Sequence, residues 1–185
     1  MLLVAVVGAV LVSGCTAETP ANDTLPTASE GAESSAELEP LGPADLPMPV
    51  EARERTPAGA EAFVEYYVAL INASQVSLQS DFIRQLSAEC TTCRRLADGV
   101  DYFSAQGFRY DGGAITINAL SLPTAILDTM DFSVDLSQAQ VRVLDGTGAE
   151  VPAYTAAESR YGSSGGQLTW ASALDSWTVS DLTIE

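Results

Sequence analysis

Two side-chain types are missing altogether. The 185 residues contain no histidine and no lysine, so all 8 positive charges are arginine, set against 25 acids for a formal charge of −17. Without histidine the chain lacks the commonest general base and metal ligand, which excludes any Ser-His-Asp or Cys-His catalytic arrangement. The strong acidity excludes nucleic acid and anionic lipid head groups as partners, because both repel a chain of this sign. Cysteine is scarce, at Cys15, Cys90 and Cys93 only. No apolar run reaches the roughly 20 residues that cross a bilayer as a helix. What is present suits one globular domain with extensions, since 46% of residues are hydrophobic and five Phe, six Tyr and two Trp can fill a core.

The chain opens on MLLVAVVGAVLVSGC, an apolar run of the length of a signal-peptide core. Its end, Leu11-Val12-Ser13-Gly14-Cys15, resembles the bacterial lipobox, in which small residues let a signal peptidase close on the bond before a lipidated cysteine. The resemblance implies that Cys15 becomes the lipid-bearing first residue of the mature protein. No basic residue precedes the run, unlike an ordinary signal peptide, which points to a true start upstream of Met1.

Composition changes sharply after Cys15. Residues 16–49 hold six of the nine prolines and seven acids, with no basic and no aromatic residue. Such a stretch cannot bury enough apolar surface to fold and reads as a disordered tether. At about 35 residues its root-mean-square span is on the order of 35 Å, which holds a domain off the membrane. The organisation expected is therefore a lipoprotein signal peptide over 1–14, a tether over 15–49 and a folded domain over 50–185.

Within the domain, Thr56 can cap a helix whose first residue is Pro57, and Ala60, Phe63, Val64, Tyr67, Leu70 and Ile71 recur at helical spacing. A second helix is predicted over Val76–Leu86 with Val76, Leu78, Phe82, Ile83 and Leu86 inward, and a third over Thr92–Ser104 with Leu96, Val100 and Phe103 inward. Beyond Gly107 the period becomes two. Phe108, Tyr110, Ile115 and Ile117 suggest one strand interrupted at Gly112-Gly113, and Met130, Phe132, Val134 and Leu136 a cleaner one. Asp145-Gly146 turns Val141 and Val143 back onto the segment around Val151, and strands at Leu168–Trp170 and Trp177–Ile184, joined at Asp175-Ser176, finish the chain. The fold class expected is α+β, three helices packed on one curved antiparallel sheet of five or six strands.

Helices followed by a long antiparallel sheet ending in Trp177, Val179, Leu182 and Ile184 resemble the cone fold of the nuclear transport factor 2-like superfamily. The stretch from Thr56 to Tyr67, with Asn72, Leu86-Ser87 and Cys90-x-x-Cys93, is similar to a family of actinobacterial lipoproteins known as a domain of unknown function. A cone implies a pocket between helices and sheet, with Tyr67, Phe103, Tyr110 and Trp170 as its candidate lining. Enzymes of that superfamily place acid and base groups there, for which Tyr66 or Tyr67, Asp128, Asp131 and Asp135 are the candidates. Asp131 and Asp135 alternate against Phe132 and Val134, so they are expected to face water. Tyr66 and Tyr67 are adjacent on a helix, and at most one is expected in the core.

Cys90-Thr91-Thr92-Cys93 admits three readings. A zinc site needs four ligands and finds too few in a chain without histidine whose third cysteine is lipidated. A redox pair at a helix start has Arg94 and Arg95 nearby to lower a thiol pKa, but lacks the preceding strand of a thioredoxin-like motif. A structural disulfide is the preferred reading once export places the domain in an oxidising space. Arg109 and Arg160 are expected to pair with carboxylates rather than take an anionic ligand. The glycine-rich stretch 158–166, with Tyr161, lacks the lysine of a phosphate loop and reads as a mobile connection.

The sequence thus describes an exported lipoprotein, extracytoplasmic and anchored through lipid on Cys15. Its domain is expected to be a non-catalytic module binding an envelope protein or small ligand, without metal or cofactor. The alternative is a cone-fold hydrolase, isomerase or dehydratase using a buried carboxylate and tyrosine.

Overall fold

A computed structural model describes residues 39–87, 89–122 and 128–185. The expected signal peptide, Cys15 and the expected tether as far as residue 38 lie outside the described residues.

Helix α1, Pro57–Ser77, starts as the sequence predicts. The Thr56 side chain accepts the Gly59 N–H at 2.9 Å, and Pro57 holds the first position, where its missing N–H costs no hydrogen bond. The helix runs further than its apolar spacing suggests and stops only at Leu78, whose left-handed backbone (φ 56°) brings its N–H to the Ser74 carbonyl. A second helix from Val76 therefore does not form. Val76 belongs to the last turn of α1, some 140° round the axis from Ile71, and is 87% exposed. Helix α2 is only Asp81–Gln85, with Ile83 buried in it and Leu86 buried just after it. Helix α3 spans Thr91–Gln106 and ends at Gly107 in the left-handed conformation.

Among the described residues six strands form two antiparallel sheets instead of the single curved one expected. Strand β1, Arg109–Gly112, pairs with β4, Val141–Leu144. Strands β2, Ile115–Ser121, β3, Thr129–Gln138, β5, Ser159–Ala171, and β6, Ser176–Thr183, make a four-stranded sheet in the order β2-β3-β5-β6. The separation occurs at Gly112-Gly113, where φ is 84° and 81°. Two successive left-handed residues take the chain out of one ladder and into another, which glycine does at little cost. The return after β4 follows the Asp145-Gly146 signal, with the Val151 N–H on the Val143 carbonyl at 2.7 Å.

Most of the glycine-rich stretch 158–166 is the first half of β5, not a mobile connection. A Cβ at Gly165 would collide with the Phe132 carbonyl, and one at Gly166 with the Asp181 carbonyl. Glycine serves here for close strand approach, and the Phe132 ring lies against Gly166, its cross-strand partner.

Strand β3 shows the expected alternation, with Met130, Phe132, Val134 and Leu136 buried between more exposed neighbours. Their side of the sheet packs in one core with Phe63, Val64, Tyr67, Leu70 and Ile71 of α1. Trp177 is fully buried there and its indole N–H meets the Glu54 carbonyl at 2.9 Å, which satisfies the single polar atom of a large apolar group.

The fold also begins before residue 50. Leu41 and Met48, inside the stretch expected as tether, are buried in the core, and the Met48 N–H reaches the Leu41 carbonyl at 2.7 Å. Arg53 donates to the carbonyls of Glu39 (2.6 Å), Leu174 (2.8 Å) and Asp175 (3.3 Å), tying this strap to the turn between β5 and β6. Two apolar residues spaced among prolines give no periodic signal, so composition alone cannot mark where the tether ends.

Candidate functional site

The interior between α1 and the four-stranded sheet is where a cone fold would hold a ligand. It is nearly filled: a cavity of about 30 Å³ remains, lined by residues that include Val64, Tyr67, Phe132, Leu136, Leu182 and Ile184. Among the described residues no carboxylate lines it. The acids considered as catalytic partners lie elsewhere: the parity of β3 turns Asp131 and Asp135 outward, and Asp128 precedes the strand. Asp131 is exposed and accepts the Gln167 amide at 3.0 Å. Asp128 is exposed and paired with Arg55. Asp135 receives Arg160 in a two-point contact, Nε to Oδ1 at 3.0 Å, and the Asn118 amide at 2.9 Å. Arg160, then Asn118, holds the Asp135 carboxyl at about 2, well below the usual range. Arg160 thus pairs as expected, whereas Arg109 makes no ion pair among the described residues.

Both tyrosines of α1 are buried, where only one was expected. Tyr67 lines the cavity. Its hydroxyl is the one buried side-chain polar atom without a hydrogen-bond partner among the described residues. Burial pushes its pKa well above the ordinary value, and the Ser87 hydroxyl donates instead to the Ile83 carbonyl at 2.6 Å. Tyr66 is covered by the strap. Its hydroxyl donates to the Leu46 carbonyl at 3.1 Å, and burial pushes its pKa up to about 12. Neither phenol is placed to exchange protons near neutral pH.

The four aromatic candidates do not form one pocket. Phe103 and Tyr110 meet at a ring-centroid distance of 4.9 Å in a separate cluster with Tyr102, Phe108 and Tyr154, beside the two-stranded sheet. Trp170 packs on Trp177 at 5.2 Å and lies under Arg55. The break at Gly112-Gly113 carries Tyr110 out of the main sheet towards Phe103 of α3, while Trp170 stays on β5 against Trp177; of the four, only Tyr67 lines the interior cavity.

Cys90 and Cys93 form a disulfide, with Cα atoms 5.3 Å apart and exposures of 1% and 0%. Cys90 also caps α3, its sulfur accepting the Cys93 N–H at 3.1 Å. Both sulfurs are sealed from solvent, and a formed disulfide is consistent with an oxidising, extracytoplasmic compartment. Among the described residues no group of three or more Cys, Asp and Glu is placed to hold a metal, and no helix is long and apolar enough to cross a membrane.

A residue that spacing alone did not single out for a role is Asn72. Its side-chain amide donates to the Ile115 carbonyl at 2.8 Å and its side-chain oxygen accepts the Ile115 N–H at 2.8 Å. From α1 it thus occupies the outer backbone edge of β2 as a paired strand would.

This geometry defines a mixed α+β domain with two antiparallel sheets, a filled interior and an open outer edge at β2. No family model and no curated protein matches the chain. Among solved structures it is similar to the intermembrane space region of the chloroplast protein ARC6, at 13% identity over 68% of this chain and 93% of that one, with a TM-score of 0.47. It is also similar to Aln2 from a Streptomyces species, at 14% identity over 66% of this chain and 89% of that one, with a TM-score of 0.38.

Proposed function

We propose that this protein is an exported lipoprotein whose extracytoplasmic α+β domain works as a non-catalytic binding module of the cell envelope. One observation carries the reading: the interior that a cone-fold enzyme would use is closed and apolar, and its candidate acids stand on outer surfaces. The buried disulfide supports export. The lipid anchor rests on the Leu11–Cys15 motif and the acidic, proline-rich residues after it. The likeness to actinobacterial lipoproteins and to the nuclear transport factor 2-like cone belongs to the same reading. An α1 packed on the four-stranded sheet is what a cone requires, and the separate β1–β4 pair is where this chain departs from it.

The test is crosslinking in intact cells, with the wild-type chain compared with Cys15→Ala. A protein partner captured reproducibly by the wild type, together with release of Cys15→Ala into the soluble fraction, is the expected result. Unchanged membrane partition of Cys15→Ala refutes the anchor. Turnover of a small substrate, abolished by Tyr67→Phe, refutes the non-catalytic reading.

A further inference from the structure

The two edges of the four-stranded sheet differ in what covers them. At β6 the connection after α2 supplies partners: the Val179 N–H bonds to the Leu86 carbonyl at 2.9 Å, and Ser87 bridges Val179. At β2 only Ile115 has an outer partner among the described residues, the Asn72 amide. Past that point Ile117 and Leu120 are half-buried and Asn118, Ala119 and Ser121 are exposed. Sheet edges are normally protected by charge, proline or distortion. Yet β2, ITINALS, alone among the six strands carries no charged residue, and it has no proline. Its one irregularity is the bulge between Ile117 and Ala119, after which Ala119, Leu120 and Ser121 resume register with Asp135, Val134 and Ser133.

We propose that the outer edge of β2 accepts an additional strand from a partner protein, which deepens the binding-module reading and rests on it. Main-chain hydrogen bonds from an extended segment satisfy the outer N–H and C=O groups, as in β-strand addition elsewhere. The partner strand carries apolar residues at alternate positions, because the inner side of β2 presents the half-buried Ile117 and Leu120 and the outer side presents Asn118. It is neutral or basic at its ends. With a formal charge of −17 on the chain, like-charge repulsion opposes pairing of β2 with a second copy and favours a segment of opposite sign.

The test uses the full chain and three end-capped ten-residue peptides. The first alternates valine and threonine with lysine at both ends, the second has glutamate at both ends, and the third is the lysine peptide with a central proline. Binding is read by fluorescence anisotropy and by amide hydrogen exchange in β2. The lysine peptide is expected to bind and to slow exchange within residues 116–121. The glutamate peptide is expected to bind at least tenfold more weakly, and the proline peptide not at all. Ala119→Lys puts a charge on the edge at an exposed position, so it should weaken binding at least tenfold with the melting temperature unchanged. Equal affinity for Ala119→Lys, or unchanged exchange in β2 with saturating peptide, overturns the proposal. So does protection of β2 that rises with protein concentration alone, which would assign the edge to a second copy. If cells yield a crosslinked partner attached elsewhere while β2 stays unprotected, this inference fails and the binding-module reading stands.

Discussion

Asn72 and Ile115 are joined by two hydrogen bonds of 2.8 Å, one in each direction, so an α1 side chain closes the backbone of the first β2 residue. Asn72→Ala leaves a part-buried N–H and C=O without their partners. A loss of about 1–3 kcal/mol in unfolding free energy is expected. Asn72→Asp should be no better, because its second oxygen faces the Ile115 carbonyl. Denaturant titration with hydrogen exchange at the Ile115 amide checks both, and full stability of either variant would contradict the pairing.

The strap over Tyr66 gives a coupled prediction. Gly42 has φ 92°, and a Cβ there would overlap the Tyr66 hydroxyl. Gly42→Ala is therefore expected to cost about 1–3 kcal/mol. Tyr66→Phe alone loses one hydrogen bond, about 0.5–1.5 kcal/mol, but removes the obstructing oxygen. The double variant should be more stable than the sum of the two losses implies, and strict additivity in a double-mutant cycle would show that the strap does not sit on Tyr66.

Tyr67 behaves differently from its neighbour. Its hydroxyl is buried and unpartnered, so Tyr67→Phe removes a desolvated polar group and keeps the ring. Unchanged or raised thermal stability is expected. A drop of more than about 1 kcal/mol would reveal a partner for this hydroxyl.

The Asp135–Arg160 contact can be followed by pH. A carboxyl whose folded pKa is lowered contributes stability that is present above its unfolded value and lost as pH falls through the folded one. For Asp135 that window runs from the ordinary 3.8 down to about 2. Carbon-13 detection of the Asp135 carboxyl should give a midpoint near 2 in the wild type and a higher one in Arg160→Met, where only the Asn118 amide remains as a donor. An identical midpoint in both proteins would remove Arg160 as the cause.

The disulfide closes a loop of only a few residues, so replacing both Cys90 and Cys93 by serine should cost less than the usual figure of about 2–4 kcal/mol. Intact mass should show both sulfurs oxidised after export. Alkylation of the folded, mildly reduced protein should label neither. Ready labelling of Cys90 would reopen a redox role.

Local chemistry determined much of this protein. Thr56-Pro57 set the start of α1 because capping depends on residues in immediate succession. The alternation from Met130 to Leu136 set both β3 and the outward turn of Asp131 and Asp135, because a strand reverses its side chains at every residue. The absence of histidine closes off whole classes of catalysis whatever the fold. Tertiary structure decided what depends on distant segments. Gly165 and Gly166 look like punctuation until the Phe132 and Asp181 carbonyls approach them. Tyr66 is met by residues 41–48 returning over α1, and Asn72 acquires a task only when Ile115 lies beside it. Tyr67, Phe103, Tyr110 and Trp170 could have met in one pocket, but the backbone turn at Gly112-Gly113 took Tyr110 into a second sheet beside Phe103, and the packing of Trp170 on Trp177 left Tyr67 alone of the four at the interior cavity.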